Sequence, residues 1–244
     1  MLVEYFDQFN IVSLLSVPIY WGEWLIIFTN SSLMMGFVIV ILWLLFINNK
    51  LIPTRWQLII ELVYENIRLI VHENLGKSGQ KYFPFILCIF LFIATMNVLG
   101  LFPFIFTPTA HIIVTFGLSL SIILAVTLSG FLTFKLSFFS IFMPGGVPIF
   151  LAPFLVVIET ISFMIRAISL GVRLAANISA GHLLFAILSG FAFNMLLNGL
   201  IFLSSFPLLI MIFITLLEIM VAVIQAYVFM LLTTIYFVDT IALH

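Results

Sequence analysis

The sequence predicts an all-α integral membrane protein, and its composition and charge distribution support this fold class. Of the 244 residues, 65% are hydrophobic and 7% are charged, with a mean hydropathy of +1.39, whereas soluble domains carry about 25% charged residues. Eleven of the 17 charged residues lie at or before Lys81, which leaves long, almost uncharged stretches beyond it. The net charge of −1 gives no reason to expect nucleic-acid binding. The single cysteine, Cys88, excludes disulfides within the chain and multi-thiolate metal sites.

The first part of the chain predicts an outer segment over residues 1–31 and an upright transmembrane helix over residues 32–47. Acidic residues precede this helix, whereas Lys50 and Arg55 follow it. Because basic residues are enriched on the inner side of membranes, we expect the N-terminus outside and Lys50 inside. The start of the chain has neither the basic region of a signal peptide nor the Arg-rich character of a transit peptide. An organellar protein of this kind is therefore expected to be made in the organelle.

Residues 53–76 predict an amphipathic helix that lies on the inner membrane interface. Pro53 can open this helix and Gly76 can close it. Apolar residues recur along one face at helical spacing: Trp56, Ile59, Ile60, Val63, Ile67, Ile70 and Val71. Polar residues form the opposite face: Glu61, Glu65, Arg68 and His72. This pattern is typical of interfacial helices, and docking on another subunit explains it equally well.

Residues 82–135 predict a helical hairpin of two membrane spans. Pro103 and Pro108 interrupt the apolar sequence between the spans, which predicts a turn on the outer side. Lys135 then ends the second span on the inner side. A proline- and glycine-rich stretch at residues 143–148 marks a break before the next helix.

The last part of the chain predicts two long helices, over residues 148–193 and 200–239. A helix of about 40 residues is about 60 Å long, twice the hydrocarbon thickness of about 30 Å. We therefore expect both helices to be strongly tilted and to form a hairpin. Asn194, Asn198 and Gly199 make its turn on the outer side, which gives five crossings in total and an inner C-terminus.

Arg173 is the strongest candidate for a functional residue. A guanidinium keeps its proton in proteins, and a charge at bilayer depth costs at least about 2.5–3.5 kcal/mol. No acidic residue lies within two helical turns of Arg173 in the sequence. Its side chain must therefore face a wet cavity, another helix, or an anionic group on a different polypeptide.

The other polar residues of the two long helices lie at intervals that keep most of them on one stripe of each helix. An antiparallel register of the hairpin pairs them as His182 with Glu218, Gln225 with Arg173, and Asp239 with Glu159. This register predicts an outer polar cluster, a central cation and an inner acidic cluster. Paired titratable groups at membrane depth usually mark proton pathways.

Each of these residues also has a purely structural explanation. The pair His182–Glu218 can be a buried structural contact, and Glu159 and Arg166 can extend to the inner surface or bind each other. Asn177 and Gln225 can serve only as hydrogen bonds between helices. Asp239 can be a solvated residue near the C-terminus, and His111 can be an ordinary histidine at an outer helix end that lines no water entrance.

Three segments resemble subunit a of F-type ATP synthases. They are Ser-Leu-Gly-Val-Arg-Leu-Ala-Ala-Asn-Ile-Ser-Ala-Gly-His at residues 169–182, Gln-Ala-Tyr-Val-Phe at 225–229, and Asn-Val-Leu-Gly-Leu-Phe-Pro at 97–103. The likeness covers nearly the whole chain, including Phe-Asp-Gln-Phe at residues 6–9. The arginine-centred segment is highly specific, although Ala175 departs from the phenylalanine or threonine often found there.

The resemblance implies roles for individual residues. Arg173 corresponds to the essential arginine that faces the carboxylates of a c-ring, with Gln225 and Asn177 beside it. The outer half-channel is assigned to His182, Glu218 and His111. The inner half-channel is assigned to Glu159, Asp239 and Arg166. The order of histidine and glutamate in the outer pair resembles mitochondrial or alphaproteobacterial members of the family.

The resemblance also implies partners and location. A chain of this family is expected to form two offset half-channels that pass protons to and from the c-ring, and to bind no nucleotide, metal or cofactor itself. Its partners would be the c-ring, the peripheral-stalk subunit b and other F0 subunits. The membrane would be the mitochondrial inner membrane or a bacterial plasma membrane, with the N-terminus in the intermembrane space or periplasm.

Two other classes of membrane protein are alternatives. A respiratory-chain subunit such as cytochrome b needs pairs of haem-ligating histidines on its spans, but no predicted helix carries two of the four histidines. A secondary transporter usually has inverted repeats with broken helices in both halves. Nothing in the first half of the sequence mirrors the region around Arg173.

Overall fold

A computed structural model of the chain describes residues 9–18, 25–47, 53–102, 105–135, 138 and 150–241. Several predictions fall on residues outside these ranges. They concern the N-terminal acidic residues, Lys50, the turn residue Pro103 and the break at residues 143–148. Within the described ranges the structure is mainly helical, in agreement with an all-α membrane protein.

A short β-hairpin precedes the first helix, which the sequence analysis did not predict. Strand β1 (Ser13–Pro18) pairs antiparallel with strand β2 (Leu25–Thr29), with an irregularity near the start of β1. Both strands are short and rich in apolar and branched residues, so their pattern is hard to separate from a buried helical segment. The side chain of Asn30 donates a hydrogen bond to the carbonyl of Asn10 (3.2 Å), which ties the hairpin to the helix that follows.

The first two helices lie close to their predicted positions. Helix α1 spans Asn30–Ile47 and helix α2 spans Arg55–Leu75. Gly76 ends α2 with φ +61°, a backbone conformation that glycine adopts easily, so its predicted role is confirmed. A 3₁₀ segment, Gly76–Lys81, then leads into the next helix.

The predicted hairpin of spans consists of helix α3 (Phe83–Gly100) and helix α4 (Ile112–Phe134). Pro108 begins a short 3₁₀ turn between them, Pro108–Ala110. All three residues of this turn are buried. The described part of the connection between the spans is therefore packed around Pro108.

The two long helices are continuous. Helix α5 spans Ala152–Leu197 and helix α6 spans Ile201–Ile241, and Gly199 makes the turn between them with φ +76°. Helix α6 begins earlier than Pro207, which lies inside its second turn. Within the described residues, five helices are long and apolar enough to cross a membrane: α1, α3, α4, α5 and most of α6.

The chain divides into two compact units, and each long helix contributes to both. The first unit comprises Met1–Ile47, Phe92–Ile112 and Leu174–Ala226, and the second comprises Asn48–Leu91, Ile113–Arg173 and Tyr227–His244. In the first unit the buried residues of α5 and α6 include Leu174, Ile178 and Ala222. In the second unit Leu170, Phe229 and Tyr236 are buried almost completely.

Candidate functional site

Arg173 lies on an exposed stripe of helix α5. Its exposed neighbours Ser169, Val172 and Ala176 recur at spacings of three and four residues, so they share its helix face. Its guanidinium donates a hydrogen bond of 3.4 Å to the hydroxyl of Ser169, one turn earlier. Both ion pairs found in the described part of the chain belong to Arg166 instead. Among the described residues, the charge of Arg173 therefore lies on an exposed helix face without an ion-pair partner.

Gly171 explains why Arg173 points outward. An ideal Cβ at Gly171 would lie 2.7 Å from the hydroxyl of Ser119 and 2.9 Å from the Cα of Phe116, so α5 packs directly on the backbone of α4. Leu170 and Leu174 are buried on the same side. Because residues two apart point to nearly opposite sides of a helix, this contact turns Arg173 away from α4.

Asn177 and Gln225 form a direct hydrogen bond between the two long helices. The amide of Asn177 donates to the carbonyl oxygen of Gln225 at 3.0 Å. Gln225 is buried, and its own amide nitrogen has no hydrogen-bond partner among the described residues. The sequence register placed Gln225 beside Arg173; the bonded residue is Asn177, one helical turn further along α5.

Glu218 packs against Gly181. An ideal Cβ at Gly181 would lie 2.8 Å from the carboxyl carbon of Glu218, so the carboxyl group occupies the space that a side chain would need. One carboxyl oxygen of Glu218 is buried and has no hydrogen-bond partner within the described residues. The lack of a side chain at residue 181 is therefore what admits this acid to the interface between α5 and α6.

His182 follows Gly181 but makes different contacts. Its ring meets the ring of Phe9 edge-on at 6.0 Å between centroids, and the backbone of Gly100 is a hydrogen-bond partner. Its Nε2 atom is buried without a partner in the described part of the chain. The predicted contact between His182 and Glu218 is not a direct hydrogen bond in this structure, because Glu218 turns toward the glycine one residue earlier.

A small cavity lies between these polar groups. It has a volume of about 30 Å³; Asn177, Glu218 and Gln225 line it with polar groups, and the rest of its mostly apolar wall comes from Leu101, Ile178, Gly181, Val221 and Ala222. A cavity of this size with three polar side chains in its wall can hold about one or two water molecules. The carboxyl group of Glu218 can exchange a proton with water in this cavity, and the amides of Asn177 and Gln225 can hold that water by hydrogen bonds.

Asn97 is a polar residue of this region to which the sequence analysis gave no role. Its side chain is fully buried, and its amide donates a hydrogen bond of 3.3 Å to the carbonyl of Ala222 on α6. Ala222 also lines the cavity beside Gln225. A single amide within an apolar span was the signal available in the sequence, because buried polar groups require partners.

His111 lies at the start of helix α4, as predicted, and is partly exposed. Its ring stacks on Phe106 with centroids 5.4 Å apart. The hydroxyl of Ser179 on α5 donates a hydrogen bond of 3.0 Å to the carbonyl of Ala110, next to His111. This contact fixes the end of the α3–α4 connection to helix α5.

Arg166 forms ion pairs with both Glu159 and Asp239. Its guanidinium lies 3.2 Å from the carboxylate of Asp239 and 3.4 Å from that of Glu159. All three side chains are between 36% and 45% exposed, so water reaches them. The register predicted that Asp239 approaches Glu159, and both acids bind Arg166. For Arg166 the sequence left open an extension to the inner surface or a contact with Glu159, so its contact with Asp239 was not predicted.

Comparisons with known proteins identify relatives over the full length. A family model described as "ATP synthase A chain" matches residues 29–238. The ATP synthase subunit a of Metridium senile is 55% identical over 244 residues and covers all of both chains. The subunit a of Marchantia polymorpha is 44% identical over 98% of each chain, and subunit a-2 of Arabidopsis thaliana is 45% identical over 98% of this chain and 71% of its own. Because the matched region contains Arg173 and every other candidate site residue except Asp239, which lies one residue beyond it, the chain belongs to the ATP synthase A-chain family.

Proposed function

We propose that this chain is the proton-channel subunit of the stator of an F-type ATP synthase, with two offset aqueous half-channels that serve a c-ring. The observation that carries the proposal is the guanidinium of Arg173, which lies on an exposed helix face and forms no ion pair with any of the described residues. A cation placed at membrane depth needs an anionic partner or water. A carboxylate on a passing helix of another subunit supplies that anion.

The proposed mechanism follows from the cost of charge in lipid. A ring carboxylate that faces lipid must be protonated, because an isolated charge there is very unfavourable. Opposite Arg173 the same group can ionise, since a fixed cation favours its charged form. Arg173 does not carry protons; it separates the two half-channels and repels protons that would otherwise cross directly.

The outer half-channel is assigned to His182, Glu218 and His111. Two observations support this assignment: Glu218 lines a small cavity together with Asn177 and Gln225, and the Nε2 of His182 has no hydrogen-bond partner within the described residues. Protons would enter from the outer side and reach the ring near Asn177 and Gln225. The hydrogen bond between Asn177 and Gln225 would keep both amides in place next to Arg173.

The inner half-channel is assigned to Glu159, Asp239 and Arg166. The shared ion pairs and the partial exposure of all three side chains support a water-accessible path there. Arg166 is a positioning residue in this proposal, because it holds the two carboxylates while protons leave toward the inner side.

The proposed setting is the mitochondrial inner membrane, with the N-terminus in the intermembrane space and the C-terminus in the matrix. The mitochondrial-type relatives support this membrane. The partners are proposed to be the c-ring and the peripheral-stalk subunit b. The two long helices, α5 and α6, would lie strongly tilted against the ring, since α5 alone has 46 residues.

A proton-conduction experiment tests the proposed function. We expect membrane vesicles stripped of the soluble ATPase sector to conduct protons passively when this chain and a small carboxylate-bearing subunit are both present. A pH-sensitive dye inside the vesicles measures the flux. Equal conduction by vesicles that lack this chain would contradict the proposal, as would purification of the chain with haem and without such a subunit.

The contact between Gly181 and Glu218 gives a second prediction. In the variant Gly181→Ala, the new methyl group would overlap the carboxyl group, so Glu218 must move. A displacement of about 1 Å at a reacting group can lower a rate by about a hundredfold. We expect ATP-driven proton pumping, measured by dye quenching in membrane vesicles, to fall at least about tenfold.

Gly36→Ala is a matched control for this variant. Gly36 lies in helix α1 of the same unit, and an added Cβ there meets no atom within 4 Å. Pumping should stay near the wild-type rate in this control. Normal pumping in Gly181→Ala, with normal amounts of assembled complex, would show that the position of Glu218 does not matter for proton transfer and would contradict its proposed role.

A further inference from the structure

A pocket at the junction between helices α2 and α3 is separate from the proposed half-channels. It has a volume of about 250 Å³ and lies within the second unit. Its lining residues come from α2, from the 3₁₀ segment and from the start of α3: Tyr64, Arg68, Val71, His72, Gln80 and Phe83, together with Gly76. None of the candidate proton-path residues takes part in it.

The backbone of the 3₁₀ segment creates this pocket. Gly76 reverses the chain with φ +61° directly after α2. Gly79 then packs on Leu75, in a contact that leaves no room for a Cβ. This tight turn brings Gln80 and Phe83 back toward Arg68 and His72 of α2.

The chemistry of the pocket favours an anionic ligand. Its polar groups are a guanidinium, an imidazole, an amide and a phenol, and none of the lining side chains is acidic. No carboxylate among the described residues forms an ion pair with Arg68, since both ion pairs found there involve Arg166. A guanidinium binds phosphate oxygens in a bidentate manner more readily than most other groups.

The position of the pocket indicates where that anion comes from. Phe83 is the first residue of a membrane span, so the pocket lies at the level where a span meets the lipid headgroups. Its inner wall is apolar: Val71 is buried, and the ring of Phe83 meets Tyr64 edge-on at 5.0 Å. Nearby on α2, Trp56 is 77% exposed and Ile59 is 53% exposed, which suits contact with acyl chains.

We propose that this pocket binds the phosphate of an anionic membrane lipid, with Arg68 as its main contact. The phosphate and glycerol of one headgroup fit a volume of about 250 Å³, which lies below the range of about 300–1,000 Å³ typical of larger ligands. The acyl chains would extend along the apolar face of α2 and the start of α3. Such a lipid would fix helix α2 at the membrane interface.

Photochemical labelling of the intact ATP synthase tests this proposal. The complex is reconstituted into phosphatidylcholine vesicles that contain a minor fraction of photoactivatable phosphatidylglycerol, and labelled peptides are identified by mass spectrometry. We expect label on the segment of residues 64–83. Arg68→Gln should lower this labelling about fivefold, the effect typical of one basic residue at an anionic membrane surface, whereas Arg68→Lys should retain most of it.

Arg55→Gln is the matched control, because Arg55 is exposed at the start of the same helix and does not line the pocket. The amount of this chain in each purified variant complex verifies assembly. Labelling that is equal in wild type, Arg68→Gln and Arg55→Gln would overturn the proposal. Suppression of the label by millimolar inorganic phosphate would assign the site to free phosphate and not to a lipid. Cross-linking of Arg68 variants to another subunit in place of lipid would likewise overturn the proposal.

Discussion

ATP synthesis driven by a proton gradient should be abolished in a complex that carries Arg173→Ala. The proposed reason is electrostatic: at 4 Å and an effective dielectric constant of 20, a unit cation stabilises a carboxylate by about 4 kcal/mol. Loss of that term makes ionisation of the ring carboxylate about a thousandfold less favourable. Synthesis in inner-membrane vesicles, with an imposed gradient, measures the effect.

Arg173→Lys should not restore synthesis fully. Lysine keeps one positive charge but lacks the planar guanidinium with its five hydrogen-bond donors. Those donors allow an arginine to bind a carboxylate and a second group at the same time. In this structure the guanidinium already bonds Ser169 at 3.4 Å, and its face is otherwise open toward a partner. We expect the lysine variant to synthesise ATP at a rate between those of the alanine variant and the wild type.

The alanine variant should also leak protons. Without the fixed cation, protons can pass from one half-channel to the other without turning the ring, so the vesicles should lose their gradient faster than wild-type vesicles. Ser169→Ala is a suitable control, because it removes the hydroxyl that accepts a hydrogen bond from the guanidinium and leaves the charge. Normal coupled synthesis in Arg173→Ala would overturn the proposed role of this residue.

Much of the fold could be predicted because long apolar stretches and the residues that end them leave few alternatives. Gly76 and Gly199 end helices with positive φ, as their positions in the sequence indicated. The β-hairpin before α1 was missed because short apolar runs fit strands and helices equally well. The burial pattern of α2 is also narrower than its apolar stripe, since only Ile67, Val71 and Leu75 are buried within the unit.

The partners of the polar residues were harder to predict than their presence. Helical spacing fixes which residues share a face, but small residues decide how closely two helices approach and hence their register. Gly171 brings α5 onto α4, and Gly181 admits Glu218, in contacts that no spacing rule contains. For the same reason Gln225 bonds Asn177, one turn from the expected position, and Arg166 joins Asp239 to Glu159.

Exchange of the outer pair should be tolerated better than either single change. The variants are His182→Glu, Glu218→His and the double variant with both. His182→Glu leaves two carboxyl groups in the proposed outer path, and Glu218→His leaves two imidazoles. Each single variant therefore lacks one of the two kinds of titratable group that the proposed proton relay uses. General acid–base groups typically contribute about 10²–10⁴-fold to proton-transfer rates, and we expect pumping in the single variants to fall by about a hundredfold.

The double variant keeps one imidazole and one carboxyl group in the same region. His182 and Glu218 are not hydrogen-bonded to each other, and within the described residues each has a buried atom without a partner. A relay through the water that the adjacent cavity can hold does not depend on which group occupies which helix. We therefore expect the double variant to pump protons several times faster than either single variant.

The glycine at residue 181 limits how complete this recovery can be. Glu218 fits against Gly181 because no side chain stands there, and an imidazole at residue 218 is larger than the carboxyl group it replaces. The double variant should therefore remain slower than wild type, with ATP-driven dye quenching as the measurement and the amount of assembled complex as the control. Equal damage in the double variant and the worse single variant would mean that the two groups act separately, and that the outer half-channel does not depend on their combination.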